Sequence, residues 1–508
     1  MYYILGIDIG TSGVKAVLYA EDGTLLTSAT EEYPMYQPQN GWAEQNPAHW
    51  WEKTVLAIRR VLQLSKADPK QICGIGLTGQ MHGLVMLDQD NNVLRDAILW
   101  CDQRTEEECR TLTKLFGREQ LIRVTANPAL TGFTASKILW VQKHEPECFK
   151  KCRHILLPKD YVRFCLTGDF ATDVADASGT QLLDVQNRCW SDEMLKCLGI
   201  DPALLPDVYE SPLPTGRVSA AAAAQTGLCA GTVVVAGAGD NAAAAVGTGV
   251  VRDGTAFTTI GTSGVVFAHT DTAHIDPKGR AHTFCCAVPG AWHVMGVTQA
   301  AGLSLKWLKD NLLQNLQAQA KQQKIGVYRL IDQKTMDSPI GANRLLFLPY
   351  LMGERTPHLD PNCRGVFFGL SAMHNQSDLI RAVMEGVAYS LTDCLCVLRE
   401  MGVTAGQMAL CGGGANSPVW RQMLADLFGC PTVIMQENEG AAGGAAMLAA
   451  VGSGLFASVQ DVCDRFVKTQ QTIPPCAENT PQYEKVYAQY KALYPALQDR
   501  FRALAELE

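Results

Sequence analysis

Apolar and polar positions alternate in short runs, broken by glycine-rich turns. The first run, residues 3–9, is β-branched and stops at Gly10-Thr11-Ser12-Gly13; a second strand-like run follows at 14–19. The same pattern returns at mid-chain: a run at 255–260, then Gly261-Thr262-Ser263-Gly264, then a run at 265–268. The pentapeptide Gly10-Thr11-Ser12-Gly13-Val14 is repeated residue for residue as Gly261-Thr262-Ser263-Gly264-Val265. Two related halves, each presenting one such hairpin, are the simplest organisation that places identical turns at equivalent depth.

The rest of the pattern predicts strands alternating with helices. Asn46-Pro47 opens a helix over 47–64, with Asn as cap and Pro at its first position. Strands are expected at 72–77, 84–87 and 97–100, and helices at 136–144 and 158–166. Residues 172–179 read as a polar loop, and 232–236 as a buried strand running into Gly239-Asp240-Asn241 and a small-residue helix. The second half predicts a strand at 293–297, a helix from Gly302 to about 323 and a polar loop at 353–357. A long helix at 377–401 follows, then a strand at 408–411 ending in Gly412-Gly413-Gly414 and a strand at 432–435. A small-residue helix begins near 439, and an amphipathic helix covers 484–508. Such alternation indicates an α/β fold.

A chain of 508 residues is too long for one core and points to two domains. With 47% hydrophobic and 19% charged residues it is ordinary globular material. A net charge of -8 argues against non-specific nucleic-acid binding, so an anionic ligand would rest on local donors or a metal. The N-terminus lacks the basic start of a signal peptide, and no apolar run reaches the length of a membrane span. The 18 cysteines form no paired C-x-x-C sets and read as reduced thiols of a cytosolic protein.

Candidate chemistry gathers at the strand ends. Successive backbone N–H groups and hydroxyls in a Gly-Thr-Ser-Gly turn can cradle phosphate, and two facing turns would hold a polyphosphate; one copy alone reads equally as a hairpin. Asp8 is either a turn former or a carboxylate beside a cation on phosphate, and the second copy has Thr259 at that place, so the turns are not equivalent. Asp240 is either a helix cap or a carboxylate held where open sheets bind ligands. His82, Asp102 and Arg104 lie on polar loops able to line a small hydroxylated pocket, with Met81 and Trp100 as apolar walls; a purely structural His82 fits as well. Gly412-Gly413-Gly414 before a helix can admit a nucleotide close to backbone, or serve as a tight turn.

The segment from Gly132-Phe133-Thr134-Ala135-Ser136-Lys137 to His144 resembles one signature of the FGGY family of carbohydrate kinases. Gly365-Val366-Phe367-Phe368-Gly369-Leu370, continuing to Glu385, resembles the other. With Asp8, the two turns and Gly239-Asp240-Asn241, the resemblance covers nearly the whole chain. It implies an actin-like ATPase (ribonuclease H-like) α/β fold with two duplicated domains, 1–246 for sugar and 247–508 for nucleotide, and a cleft between them. Gln80-Met81-His82-Gly83, Trp100 to Arg104 and Asp176 to Thr180 resemble the branch of the family acting on D-xylulose. Ribulose or gluconate as substrate, and a sugar-independent ATPase, are the alternatives. By resemblance, Asp240 is the general base and Asp8 the acid beside Mg²⁺, while Met81, His82, Asp240 and Asn241 contact sugar. Thr11, Ser12, Gly261 and Thr262 contact the phosphates of ATP, and Gly302, Gly413 and Gly414 lie on the nucleotide side of the cleft. A base with the ordinary Asp pKa of about 3.9 is expected, since the hydroxyl proton becomes acidic only as the P–O bond forms. Cysteine usage and charge point to a cytoplasmic enzyme with no nucleic-acid or membrane partner, competition of the sugar hydroxyl with water argues for closure over the sugar, and a homodimer is left open.

Overall fold

A computed structural model describes residues 1–436 and 439–507. Its organising strand, Tyr3–Ile9, pairs antiparallel with Gly13–Ala20 on one side and parallel with Ile72–Gly79 on the other. The sheet built on it runs Pro214–Arg217, Val233–Val235, Ile72–Gly79, Tyr3–Ile9, Gly13–Ala20, Leu25–Glu32, with Ala238–Gly239 extending the pairing along Ile72–Gly79. A second sheet repeats this plan around Gly254–Ile260, which pairs antiparallel with Gly264–Thr270 and parallel with Ala405–Cys411. Its order is His282–Cys285, Trp292–Thr298, Gly264–Thr270, Gly254–Ile260, Ala405–Cys411, Thr432–Met435, Thr469–Ile473. Both sheets thus join a hairpin to parallel strands, the two-layer logic of α/β folds.

Helices cross over between the sheets. Helix Asp240–Gly247 leaves the first sheet and packs on the second, with Ala245 among Phe257 and Ala409. Helix Gly440–Gly452 leaves the second sheet and packs on the first, with Ala442 and Ala446 among Ile4 and Val17. Small residues are dictated by the close approach. A Cβ at Gly6 would lie 2.1 Å from the Ala442 carbonyl oxygen, and one at Gly444 would lie 1.8 Å from that of Ala243.

Most elements fall where periodicity places them, and three do not. The helix expected from Gly302 to 323 is two, Gly302–Leu312 and Gln314–Gln323, because the fully buried Leu313 turns inward between them. The expected loop at 172–179 is a strand, Ala171–Asp173, and a short helix, Val174–Ser178. There Asp173 caps the helix by accepting from Ala175 N and Asp176 N, and burial of Val174, Ala175 and Ala177 overrides the polar composition. The terminal helix begins earlier, as Thr480–Ala505, and Glu508 lies outside the described residues. Among the described residues, no helix is long and apolar enough to cross a membrane.

Candidate active site

The equivalent strand ends of the two sheets each carry one expected site segment. Asp8 is the penultimate residue of the first central strand, opposite Thr78, and Thr259 the penultimate residue of the second, opposite Cys411. The loops that follow those partners are Gln80-Met81-His82 in one half and Gly412-Gly413-Gly414 in the other. Duplication thus supplies one framework on which two different ligand loops are built.

The two identical turns close differently. In the first, Gly10 N donates to Gly13 O at 3.1 Å and Ile9 faces Val14; in the second, Gly261 N donates to Ser263 O at 3.0 Å and Ile260 faces Gly264. Tertiary contacts set the difference. Gln45 Nε2 donates to the Thr11 carbonyl at 2.7 Å, Trp100 Nε1 to Thr11 Oγ1 at 3.0 Å, and the Tyr33 hydroxyl to the Gly10 carbonyl. The second turn is held by Ala301 N and Gly302 N, which donate to Thr262 O and Gly261 O at 3.0 and 2.8 Å. The backbone N–H groups of Thr11, Ser12, Thr262 and Ser263 donate to no described residue. Unpaired, closely spaced N–H groups of this kind suit an anion.

Asp8 and Asp240 lie close enough to repel. Asp8 Oδ1 is buried without a hydrogen-bond partner. Burial, then the charge of Asp240, pushes the Asp8 carboxyl up to about 7 against the pull of Lys15. Asp240 opens its helix with Gly239 as cap, and its Oδ1 accepts from Asn241 N at 2.7 Å and Asn241 Nδ2 at 3.0 Å. Burial raises it to about 6 in spite of those bonds, so the ordinary carboxylate value expected from sequence is overturned by desolvation.

On the sugar side, Met81 is buried with its side chain over Gly239. His82 adopts φ 68°, and its carbonyl accepts from Lys137 Nζ at 2.8 Å and Thr134 Oγ1 at 3.1 Å. Lys137 also donates to the Gly132 carbonyl at 2.7 Å, so a buried ammonium from the first signature fastens the His82 loop. Burial lowers that ammonium to about 7. Asp102 and Arg104 are spent on each other: Arg104 Nε and Nη2 donate to the fully buried Asp102 at 2.9 and 2.7 Å, and the guanidinium lies 3.6 Å over Trp42. They brace the loop rather than offering free groups to a ligand.

On the other side, a cavity of about 360 Å³ is lined by Ala244, Thr248, Thr259, Gly412, Asn416 and Gly440, among others. Its lining takes in Gly412 rather than Gly413 or Gly414, while Gly302 sits behind the second turn. The cavity joins the cleft end of helix Gly440–Gly452 to the second sheet, a place that fits the apolar body of a nucleoside.

Residues not singled out from sequence also shape the site. Lys159 donates to Asp160 at 2.5 Å and pairs with Asp173 at 2.7 Å and Asp176 at 3.6 Å, all fully buried. Burial pulls the ammonium down, but the three carboxylates outweigh it and hold Lys159 above its ordinary value. This cluster anchors the helix whose following residue, Gly179, receives the His82 ring. Sequence gave no signal for it, because these charges lie up to seventeen positions apart on three elements.

The sequence profile for the N-terminal domain of the FGGY family of carbohydrate kinases matches residues 3–247, and that for the C-terminal domain matches residues 256–453. The chain is 41% identical over 504 residues to the xylulose kinase of Bacillus subtilis (strain 168), covering 99% of each chain. It is 40% identical over 496 residues to the xylulose kinase of Escherichia coli (strain K12), covering 97% of this chain and 99% of that one. A crystal structure of a xyloylose kinase from Brucella ovis superposes with a TM-score of 0.90 at 37% identity, over 98% of this chain and 100% of the other.

Proposed function

The chain belongs to the FGGY family of carbohydrate kinases, and from that premise we propose that it transfers the γ-phosphoryl group of ATP to the 5-hydroxyl of D-xylulose. The observation that carries the mechanism is Asp240, a half-buried carboxylate directly after the strand Ala238–Gly239, raised by desolvation and close enough to Asp8, just before the first turn, to repel it. Asp240 accepts the proton of the sugar hydroxyl, and its pKa of about 6 makes it a better base than an exposed carboxylate while leaving it ionised at neutral pH. Asn241 fixes one carboxylate oxygen, so the other faces the hydroxyl.

Met81 and His82 bind the sugar together with Asp240 and Asn241, and the N–H groups around Thr11, Ser12, Gly261 and Thr262 hold the phosphates. Gly302, Gly413 and Gly414 shape the nucleotide side, with the adenosine in the adjoining cavity. Residues 1–246 are the sugar-binding domain and 247–508 the nucleotide-binding domain, closing over the sugar to exclude water. Asp8 would hold Mg²⁺. Its orphaned, buried Oδ1 fits that role, since Mg²⁺ beside phosphate needs only one or two carboxylates. When bound, Mg²⁺ neutralises charge on the phosphate oxygens. Cysteines read as reduced thiols fit a cytoplasmic enzyme.

The test is ADP formation from Mg-ATP with D-xylulose, D- and L-ribulose, gluconate, glycerol or no sugar, with Asp240→Ala alongside. Strong stimulation by D-xylulose, falling on the order of 10²–10⁴-fold in the variant, is expected. Turnover indifferent to every sugar would overturn the reading.

A further inference from the structure

The loop at 353–357 is fastened on both sides of one arginine. Glu354 is buried and accepts from Thr298 Oγ1 at 2.6 Å and from Gln299 N at 2.9 Å. Thr356 is buried too: its N donates to Val297 O at 2.9 Å, and its Oγ1 accepts from Val297 N at 3.0 Å and donates to the Arg280 carbonyl at 2.7 Å. Between them, Arg355 is bonded only through its backbone, and its guanidinium donates to no described residue. Arg355 is half-buried, and its fork of five N–H donors is left for solvent or a ligand.

The position of the fork follows from its neighbours. Val297 packs against the apolar cluster that holds Phe133 of the first half and Phe284 of the second. The Phe133 ring is 4.6 Å from that of His82 and 5.9 Å from that of His282, two residues after Arg280. His82 is depressed chiefly by burial, with Lys137 and Arg355 adding to it, and His282 by burial and then Arg355. Through Thr356, Val297 and Phe133, Arg355 is thus carried on the loop beside His82 and His282.

We propose that Arg355 determines sugar specificity, its guanidinium donating to the C2 carbonyl oxygen of the ketopentose whose 5-hydroxyl lies on Asp240. The inference rests on the phosphorylation reading above. A ketose differs from a polyol in offering a pure acceptor at C2, which is what a guanidinium reads. Beside it His82 has its Nδ1–H engaged with the Gly179 carbonyl at 2.7 Å, leaving Nε2 as an acceptor for the adjacent hydroxyl. Because His82 and Arg355 come from opposite halves, a bound ketose ties the halves together.

Wild type, Arg355→Met, Arg355→Gln and Arg355→Lys are compared by steady-state kinetics with D-xylulose, by calorimetry with D-xylulose alone, and by competition with xylitol, which lacks the carbonyl. In Arg355→Met the KM and Kd for D-xylulose rise roughly 10- to 100-fold, the cost of a charge-assisted hydrogen bond. The Ki of xylitol and the KM of ATP stay within about threefold, and Arg355→Lys recovers part of the loss. Equal losses for D-xylulose and xylitol, unchanged sugar affinity, or a fall in kcat at constant KM would each overturn the inference while leaving the kinase reading intact. Thermal unfolding checks the fold, and Arg355→Gln carries the same comparison if the methionine variant is unstable. A wild-type enzyme that phosphorylates no sugar removes both readings together.

Discussion

His82 Nδ1 lies 2.7 Å from the carbonyl oxygen of Gly179, and because a carbonyl only accepts, the ring proton sits on Nδ1. Burial, with Lys137 and Arg355 acting in the same direction, depresses the imidazole to about 3, so the ring presents a neutral Nε2 lone pair at every physiological pH.

Sugar affinity is therefore expected to show no inflection from His82 near pH 6.5. Calorimetry of D-xylulose between pH 5 and 8 on wild type and His82→Gln checks this. A break in the wild-type curve that vanishes in the variant would show that the ring titrates. The variant should also weaken sugar binding about tenfold or more through loss of the acceptor.

Asp240 gives a pH dependence of the opposite kind. As the base it must be ionised, so kcat/KM for the sugar rises with pH and levels off above about 6. A profile flat down to pH 4.5 would remove Asp240 from the role. Stability moves against activity. The folded pKa is raised above the unfolded one, so the contribution is fully present below about 3.8 and lost as pH rises through about 6. Asp240→Asn should unfold at higher urea than wild type at pH 7.5, by on the order of 1–3 kcal/mol, with the gap closing toward pH 4.

Much of this was legible in the chain. The repeated Gly-Thr-Ser-Gly turn announced the duplication, and alternating runs announced both central strands; Asn46-Pro47 marked its helix start to the residue. Asp8 and Asp240 were visible as carboxylates at strand ends. Their electrostatics were not, because burial depends on how helices Asp240–Gly247 and Gly440–Gly452 cross. Asp102 and Arg104 looked available only because sequence does not show that they bind each other. Lys137 passed unnoticed as a binder of carbonyls because a buried lysine runs against its usual surface preference.

The buried cluster around Lys159 predicts a large loss on removing the one cation that touches all three carboxylates. Lys159→Met leaves Asp173 and Asp176 without their ion-pair partner and Asp160 with only the nearby Arg163, and the expected cost is about 3–5 kcal/mol in urea unfolding at pH 7. The double variant Lys159→Met, Asp176→Asn should recover part of it. Asp173 caps the helix leading to Gly179, so a surviving Lys159→Met protein should also bind sugar more weakly. Wild-type stability in the single variant would mean that the carboxylates are not held ionised by this lysine.

The crossing of the two small-residue helices can be tested at neighbouring glycines of one helix. In Gly444→Ala the new Cβ would lie 1.8 Å from the Ala243 carbonyl oxygen, backbone against backbone, so no rotamer relieves it. In Gly443→Ala the nearest atom is the Tyr19 hydroxyl at 3.1 Å, the end of a side chain able to shift. Alanine gains up to about 1 kcal/mol of helix propensity over glycine at both sites, so propensity alone predicts equal stabilisation. Steric contact predicts a split: Gly443→Ala neutral or stabilised, and Gly444→Ala destabilised by about 1–3 kcal/mol or more as the helices are forced apart. Because these helices join the sheet bearing Asp8 to the one bearing the second turn, the same displacement should lower kcat in whatever Gly444→Ala protein remains folded. Equal urea midpoints for the two variants would show that the helices do not meet at Gly444.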